Sequence, residues 1–434
     1  MTIALPTKPN GDQYEDFVAA CLKVLGYFTE TRLVLREGKK EILELDVVAT
    51  PLGQLSEKRQ IFEAKKEGMN FSNLFKLYGQ RQYLNIQDAC LASLKECDPS
   101  YAELFKSKGA EMAVRVCHIP LDLEIIENLA PRCNGFSKKI IDKIIPVAWF
   151  QQIGRRVAQA NFVQEYNNKR GSPLYDQARA YFIAVQQSFF QPTPLDRAEA
   201  LYSAYWNSPN LVGDFVSEIA ASQATSARTI WNKLNDTGEL LWLQYLMLVE
   251  NTARIYIVKN ALDDAIARNG APLPEIELRI GTSSFGIPRH NLPPRFTNGL
   301  ELLRTHPHSL RFPYLFQVFV ELLGGVVFFK DKEELNFIAD ATGIPETDIE
   351  TCLLILDEFF APPGGGTCFY TQKDQLLCMK MIPGFVHGGG SFMRQTLYDL
   401  TKYQSKFPEM GWLLGHWHNA LYYTLEPLLS KNEH

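Results

Sequence analysis

The chain has 434 residues, enough for roughly two to four domains. A hydrophobic share of 46% and a charged share of 21% are those of an ordinary water-soluble protein. The formal net charge of −5 excludes a globally basic nucleic-acid coat but leaves room for a local basic cleft. No apolar run has the length of a membrane span: the longest, Tyr314 to Phe329, is interrupted by Gln317 and Glu321. The opening residues, Met1 to Pro9, are too short and too proline-rich to read as a signal peptide, so no membrane partner is expected. The eight cysteines are scattered with no Cys-x-x-Cys pair, which suits free thiols in a reducing cytoplasm and not a structural zinc site.

Taken in chain order, the pattern predicts a helix over 11–28, with Asp12 as cap, Glu15 in its first turn as in a capping box, and Gly26 at its end. A strand follows from Tyr27 to Leu35, then a charged turn from Arg36 to Lys40. Two strand-forming runs come next, Ile42 to Ala49 and Arg59 to Lys65, joined through the turn-like stretch Thr50-Pro51-Leu52-Gly53-Gln54. A helix over Asn70 to Asn85 carries Leu74, Leu77, Tyr78, Arg81 and Leu84 at helical spacing. A strand at Asp88 to Ser93, a helix at Asp98 to Lys108 with Pro99 near its start, and a strand at Ala113 to Ile119 complete an α/β sheet within residues 1–120.

The chemistry concentrates on the two middle strands. Side chains alternate along a strand, so Glu63 and Lys65 share a face and Ala64 takes the other, with Asp46 beside them on the neighbouring strand. Two carboxylates and an ammonium in one place suit a divalent cation and a developing negative charge on phosphorus. The plainer reading is a cross-strand salt bridge on a solvated sheet face.

The ordered set Gly11, Glu15, Gly26-Tyr27, Asp46, Glu63-Ala64-Lys65 and Gln80 resembles the P-D…(D/E)-x-K nuclease superfamily, in particular its Mrr-type restriction endonuclease branch and archaeal junction-resolvase-like enzymes. Leu45 stands where the name-giving proline would precede Asp46. The resemblance covers residues 1–120 and implies a restriction-endonuclease-like fold, a Mg2+ or Mn2+ cofactor and hydrolysis of phosphodiesters in DNA, in defence against foreign DNA or in DNA processing. It implies Asp46 and Glu63 as metal ligands, Lys65 at the attacking water or the phosphate, Glu15 as a further metal ligand, and Gln80 near the phosphate or the water. Glu15 is otherwise a helix cap and Gln80 a solvated helix residue. Around them lie Lys39, Lys40, Lys58, Arg59, Lys66, Lys76 and Arg81, of which Lys39, Lys40, Lys66, Lys76 and Arg81 are the expected phosphate contacts; such contacts position a nucleic acid without reading its sequence.

Residues 121–305 read as a mainly helical accessory domain. It would hold short helical runs at 125–129 and 140–145, longer ones at 147–166 and 175–190, and further helices at 195–206, 214–221, 222–234 and 239–267, with a strand at 276–280. Thr282 to Gly286 does not fit a nucleophile elbow, and without one His387 to Gly390, which is similar to an oxyanion-loop run, reads as a flexible turn.

A domain over 306–390 contains a stretch, 333–385, that resembles a winged helix-turn-helix. Its helices would run from Glu334 to Thr342 and from Glu346 to Phe359, with Ile349, Leu353, Leu354 and Leu356 inward. The wing would be Ala361 to Gly366 with strands at 368–371 and 376–381. No Lys or Arg occurs between Lys332 and Lys373, and Glu346, Asp348 and Glu350 crowd the second helix, so a protein-binding role fits better than a DNA-reading one. The aromatic C-terminal segment, 391–434, reads as helical and suited to packing, a protein partner or a homo-oligomer contact. The leading expectation is a metal-dependent DNA endonuclease; the rivals are a non-catalytic interaction protein on a nuclease-fold scaffold and a nuclease acting on RNA.

Overall fold

The computed structural model describes residues 5–51, 59–121, 123–133, 135–168, 170–191, 196, 200, 258–259, 294–319, 326–327, 332–359, 368–372 and 376–381. The chain divides into two compact units, Met1–Ile153 and Gly154–His434.

The first unit opens with α1, Gly11–Val24. Its cap is Asn10 and not Asp12: the Asn10 side chain accepts from the Gln13 backbone N–H at 2.8 Å, and the Gln13 side chain accepts from the Asn10 backbone N–H at 2.9 Å. Asn10 has the extended backbone a cap needs, whereas Asp12 already lies inside the helix. Glu15 is thereby released from capping. The helix ends at Gly26, whose φ of +97° is the left-handed conformation that favours glycine.

A second constraint acts on the same residue. The segment after Ala130 folds back so that the Cys133 and Phe136 N–H groups donate to the carbonyls of Leu25 and Val24 at 2.7 and 3.0 Å, satisfying the helix end. A Cβ on Gly26 would stand 1.6 Å from the Cys133 carbonyl oxygen. Gly26→Ala is therefore expected to destabilise the first unit by about 3 kcal/mol or more, read as a fall in urea midpoint.

The sheet follows. Strands β1, Tyr27–Glu37, and β2, Lys40–Pro51, form a hairpin across Gly38, and β3, Gln60–Lys65, pairs antiparallel with β2. Helix α2, Phe71–Tyr83, then crosses to β4, Asp88–Ser93, and α3, Ala102–Glu111, crosses to β5, Val114–His118. The strand order is β1-β2-β3-β4-β5, and the last two junctions are parallel, as helical crossovers require. This is an α/β mixed sheet with flanking helices. The α1 helix packs on β1, β2 and β3, and α2 lies over β3 to β5. The core is built from Tyr14, Phe17, Leu22, Val47, Phe62, Leu91 and Phe105, all at most 1% exposed.

Two boundaries differ from the pattern reading. Helix α3 begins at Ala102 because Asp98 is engaged in a turn, its carboxylate accepting from the Ser100 N–H at 2.9 Å, so Pro99 precedes the helix. Thr50 and Pro51 belong to the end of β2, and residues 52–58, with Lys58, lie outside the described residues. After β5 come 3-10 turns at Leu123–Asn128 and Lys138–Ile140, then α4, Ile141–Asn168, which runs unbroken through Pro146 where two separate runs were expected. Helix α5 spans Pro173–Ser188.

Within the second unit, α6, Pro294–Thr305, and α7, Phe312–Gln317, precede a short strand β6, Val326–Val327. Helices α8, Lys332–Thr342, and α9, Glu346–Phe359, and the hairpin β7, Cys368–Gln372, and β8, Leu376–Met381, follow. The strands pair in the order β6-β8-β7. Gly343, with φ +70°, makes the turn between α8 and α9. Helix α9 buries Ile349, Cys352, Leu353, Ile355 and Leu356, but Leu354 is 46% exposed, contrary to the inward face expected of it. It lies one residue, about 100°, beyond Leu353, on the other side of the buried stripe.

The expected helices at 195–206, 214–221, 222–234 and 239–267 fall outside the described residues apart from single positions, as do the strand at 276–280 and the Thr282 to Gly286 stretch. The wing loop at 361–366, the glycine run at 387–390 and the C-terminal segment fall outside them too. Among the described residues no helix is long and apolar enough to cross a membrane, and six cysteines are free thiols.

Candidate active site

The regular β2–β3 ladder ends at Val47–Phe62. Asp46 and Glu63 come one residue beyond it, where the strands no longer satisfy each other. There the Asp46 carboxylate takes the place of a backbone acceptor: its Oδ2 accepts from the Ala64 N–H at 3.0 Å. The same oxygen lies 3.5 Å from Lys65 Nζ, and Lys65 Nζ reaches Glu63 Oε1 at 2.6 Å. The sequence-predicted trio therefore meets, on the inner side of the sheet and not on a solvated face: Glu63 is 1% exposed and Asp46 8%.

Helix α2 adds a residue that the pattern assigned elsewhere. Lys76, expected as a phosphate contact, donates to both Glu63 oxygens, at 2.8 and 3.0 Å. One turn further on, at the i+4 position, Gln80 is buried and its Nε2 donates to the Glu44 carbonyl at 2.9 Å. Glu44 is two residues before Asp46 on β2, so α2 lays Lys76 and Gln80 along the strands that carry the carboxylates. Gln80 is thus not the solvated helix residue of the plainer reading. Its Oε1 is buried and has no hydrogen-bond partner among the described residues.

Glu15 comes to the cluster from α1. It lies close enough for the Asp46 carboxylate to repel it, and its Oε2 pairs with Arg32 at 3.0 Å. Arg32 was not anticipated. It stands on β1 between the pairs Thr31–Val47 and Leu33–Leu45, opposite Asp46, with a φ of 54° that is strained for a non-glycine residue. Its guanidinium also holds Asp16 at 3.1 Å and the Asp12 carbonyl at 2.8 Å, so it fixes the first turns of α1 against the sheet. The signal in sequence is slight: a single cation in a strand-forming run, Tyr27 to Leu35, that also carries Thr29, Glu30 and Thr31.

The electrostatics follow from burial. Glu15 is pushed up to about 8, first by desolvation and then by the Asp46 carboxylate, with Arg32 pulling the other way. Asp46 is raised by burial and by Glu63, against the pull of Lys65 and the Ala64 N–H. Burial alone would lower Lys65, but Asp46 and Glu63 outweigh it and hold the ammonium above its ordinary value. Lys65 is therefore a fixed cation in this arrangement, which removes support for a general-base role.

Among the described residues no three His, Cys, Asp or Glu side chains stand together as a ready metal cage. The donor set nonetheless fits a hard divalent cation. Asp46 and Glu63 supply carboxylate oxygens, the ion would relieve the raised protonation of Asp46 and Glu15, and Gln80 Oε1 is an acceptor for an ion-bound water. Magnesium needs only one or two protein carboxylates and keeps several waters.

The expected phosphate contacts divide into two kinds. Lys39 and Lys40 are exposed at the β1–β2 hairpin end, and Lys66 pairs with Glu67 at 3.2 Å. Lys76 is occupied by Glu63, and Arg81 braces the backbone, donating to the Gln87 carbonyl at 2.8 Å and the Met112 carbonyl at 3.3 Å.

No protein-family model matches the chain, no curated protein matches it, and no solved structure matches it. The class that fold and site define is thus an α/β protein with a buried acidic–lysine cluster where β2 and β3 part.

Proposed function

We propose that the first unit is a divalent-metal-dependent nuclease that hydrolyses phosphodiester bonds, with DNA as substrate and Mg2+ or Mn2+ as cofactor. One observation carries this reading. The fold brings Asp46 and Glu63 to one lysine in a buried site, with Glu15 near enough to feel the Asp46 charge, and drives the protonation of Asp46 and Glu15 upward. Burying carboxylates this way works against stability, and perturbed carboxylates converging at one place are what metal and acid–base chemistry requires.

Asp46 and Glu63 would hold the ion, with Glu15 completing its surroundings. A bound cation would lower the pKa of an attacking water and offset charge at phosphorus. Lys65, kept protonated by its neighbours, would pair with a phosphate oxygen and stabilise the charge that develops there. Gln80 Oε1 would accept from the attacking water and fix its direction. Lys39 and Lys40 would meet the substrate backbone away from the reacting bond, positioning it without reading sequence. Foreign-DNA defence or DNA processing in the cytoplasm is the setting that suits this chemistry. The test is incubation of the full chain with plasmid DNA and Mg2+ or Mn2+, beside Asp46→Ala and Lys65→Ala; equal cleavage by all three would sink the assignment. Running single-stranded RNA alongside distinguishes an RNA-directed enzyme.

Lys76 stands in for a cation on Glu63, so metal uptake has to displace it. Lys76→Gln is expected to tighten Mn2+ binding about three- to tenfold in calorimetry, since it removes a competing positive charge. Unchanged or weaker binding would show that Lys76 and the ion do not compete.

For the second unit, the order helix, short strand, two helices and hairpin, with strands in the order β6-β8-β7, supports reading it as a winged helix. Glu346 and Glu350 are exposed on α9, and Asp348 accepts from or pairs with His308 Nε2 at 2.7 Å. This acidic face favours a protein partner or a second copy of the chain over DNA.

A further inference from the structure

The neighbouring parallel strands β4 and β5 bring two thiols together away from the acidic cluster. Cys90 is in register with Arg115 and Cys117 with Ala92, so the cysteines are diagonal neighbours, and their sulfurs are 3.4 Å apart. Cys90 is fully buried. Cys117 is partly exposed and lines a cavity of ≈ 650 Å³ together with Cys97, Lys106, His118 and Asn128. One sulfur is thus reachable from a cavity and the other waits behind it, the arrangement of a reacting and a resolving cysteine.

We propose that Cys117 and Cys90 form a hydroperoxide-responsive pair: Cys117 reacts with the peroxide and Cys90 closes a reversible disulfide on it. In the first step the Cys117 thiolate attacks one peroxide oxygen. The S–O bond forms, the O–O bond breaks, and the leaving hydroxide takes a proton to become water. In the second step Cys90, giving up its proton, attacks the sulfenic sulfur. The S–S bond forms, the S–O bond breaks, and a second water leaves. Two thiols lose two electrons and two protons, and one hydrogen peroxide becomes two waters.

The surroundings suit this division. The Cys90 thiol donates to Cys117 and, with the Arg115 charge, brings Cys117 down to about 7 in spite of burial; Cys117 Sγ in turn donates to the Asn128 carbonyl at 3.0 Å, a bond that the thiolate gives up. Cys117 itself holds Cys90 well above its ordinary value, with burial acting in the same direction; since Cys90 is fully buried and Cys117 lines the cavity, the first attack belongs to Cys117. Diagonal positions lie at or just beyond the Cα separation a disulfide spans, about 7 Å, so closing the bond needs a small shift between β4 and β5 and leaves it easily reduced by thiols.

The test uses the full chain at pH 7 with one equivalent of hydrogen peroxide, followed by non-reducing peptide mapping. A Cys90–Cys117 disulfide that dithiothreitol reverses is expected. Cys97, on the same cavity but with its thiol pushed up by burial, serves as internal reference, and Cys117 should be oxidised about tenfold faster. Cys90→Ala should accumulate a sulfenic acid on Cys117 that dimedone traps, and Cys117→Ser should leave Cys90 reduced. Equal rates at Cys97 and Cys117, a Cys97–Cys117 link, or over-oxidation of Cys117 with Cys90 still a thiol would each overturn the proposal. The mapping on the unaltered chain decides the matter even where Cys90→Ala fails to fold. None of these readouts requires cleavage of nucleic acid.

Discussion

Asp46→Ala is expected to lower metal-dependent DNA cleavage at least about a thousandfold while changing stability by less than about 2 kcal/mol. The two numbers separate because the side chain does opposing things in the fold. It accepts from the Ala64 N–H at 3.0 Å and faces Lys65 at 3.5 Å, so its removal leaves a buried donor unpaired, worth about 1–3 kcal/mol. Against that, the carboxylate is itself desolvated and repelled by Glu63, and its loss relieves both. Lys65 keeps Glu63 as partner at 2.6 Å, so no isolated buried charge results. Asp46→Asn, which keeps the size, should be near neutral or stabilising in urea denaturation and equally inactive. A purely structural cluster would reverse the pattern, with stability falling and nothing else changing.

Lys65→Ala should behave differently in detail. The ammonium offsets two carboxylates, and Glu63 would retain Lys76, at 2.8 Å, as its partner. Metal binding should survive or tighten in calorimetry, while turnover falls by about a hundredfold or more, because only stabilisation of charge at phosphorus is lost. Loss of metal binding together with turnover would place Lys65 among the groups that build the site and not among those that act in it.

The strands of the first unit were legible because apolar and β-branched residues alternate between unmistakable breaks, and Asp88 to Ser93 was readable to the residue. The convergence of Asp46, Glu63 and Lys65 followed from the two-residue period of a strand and from the hairpin joining β2 to β3. What was not legible depends on long-range geometry. Lys76 meets Glu63 only because α2 lies across β3 with one particular rotation. Arg32 reaches Glu15 and Asp16 only through a left-handed backbone that no propensity suggests for arginine. The cap moved from Asp12 to Asn10 because both are good capping residues and only the packed chain chooses between them.

In the second unit, the two helices and the hairpin could be read from their periods, but β6 could not. Two residues, Val326 and Val327, make a strand only by pairing with Cys378 and Met379, some fifty positions away. In sequence they follow the turn signal Gly324-Gly325, but the apolar run continues through Phe328 and Phe329, so nothing in the pattern marks a strand of two residues. Leu354 is the same lesson at the scale of one helix turn: a leucine beside inward leucines points outward because the stripe has moved on.

The wild-type protein should lose stability between pH 5 and pH 8.5 relative to Glu15→Gln, by about 2–4 kcal/mol. Glu15 moves from an ordinary 4.5 to about 8 in the fold, because it is desolvated and faces Asp46. Between those values the native chain keeps a proton that the unfolded chain has released. Stability is therefore fully present below the unfolded value and declines as pH rises through the folded one. Glutamine carries no titrating proton, so the variant lacks this slope, and the difference between the two proteins cancels the titrating groups that do not sense Glu15. Arg32 retains Asp16 at 3.1 Å in the variant and is not stranded. Urea unfolding of both proteins at pH 5, 7 and 8.5 measures the effect; a wild type as stable at pH 8.5 as Glu15→Gln would mean that Arg32 fully neutralises the carboxylate. Adding millimolar Mg2+ extends the test to function. An ion held by Asp46 and Glu63 would favour the ionised Glu15, release a proton on binding, and restore the wild type at pH 8.5. The same addition should do nothing for Asp46→Asn.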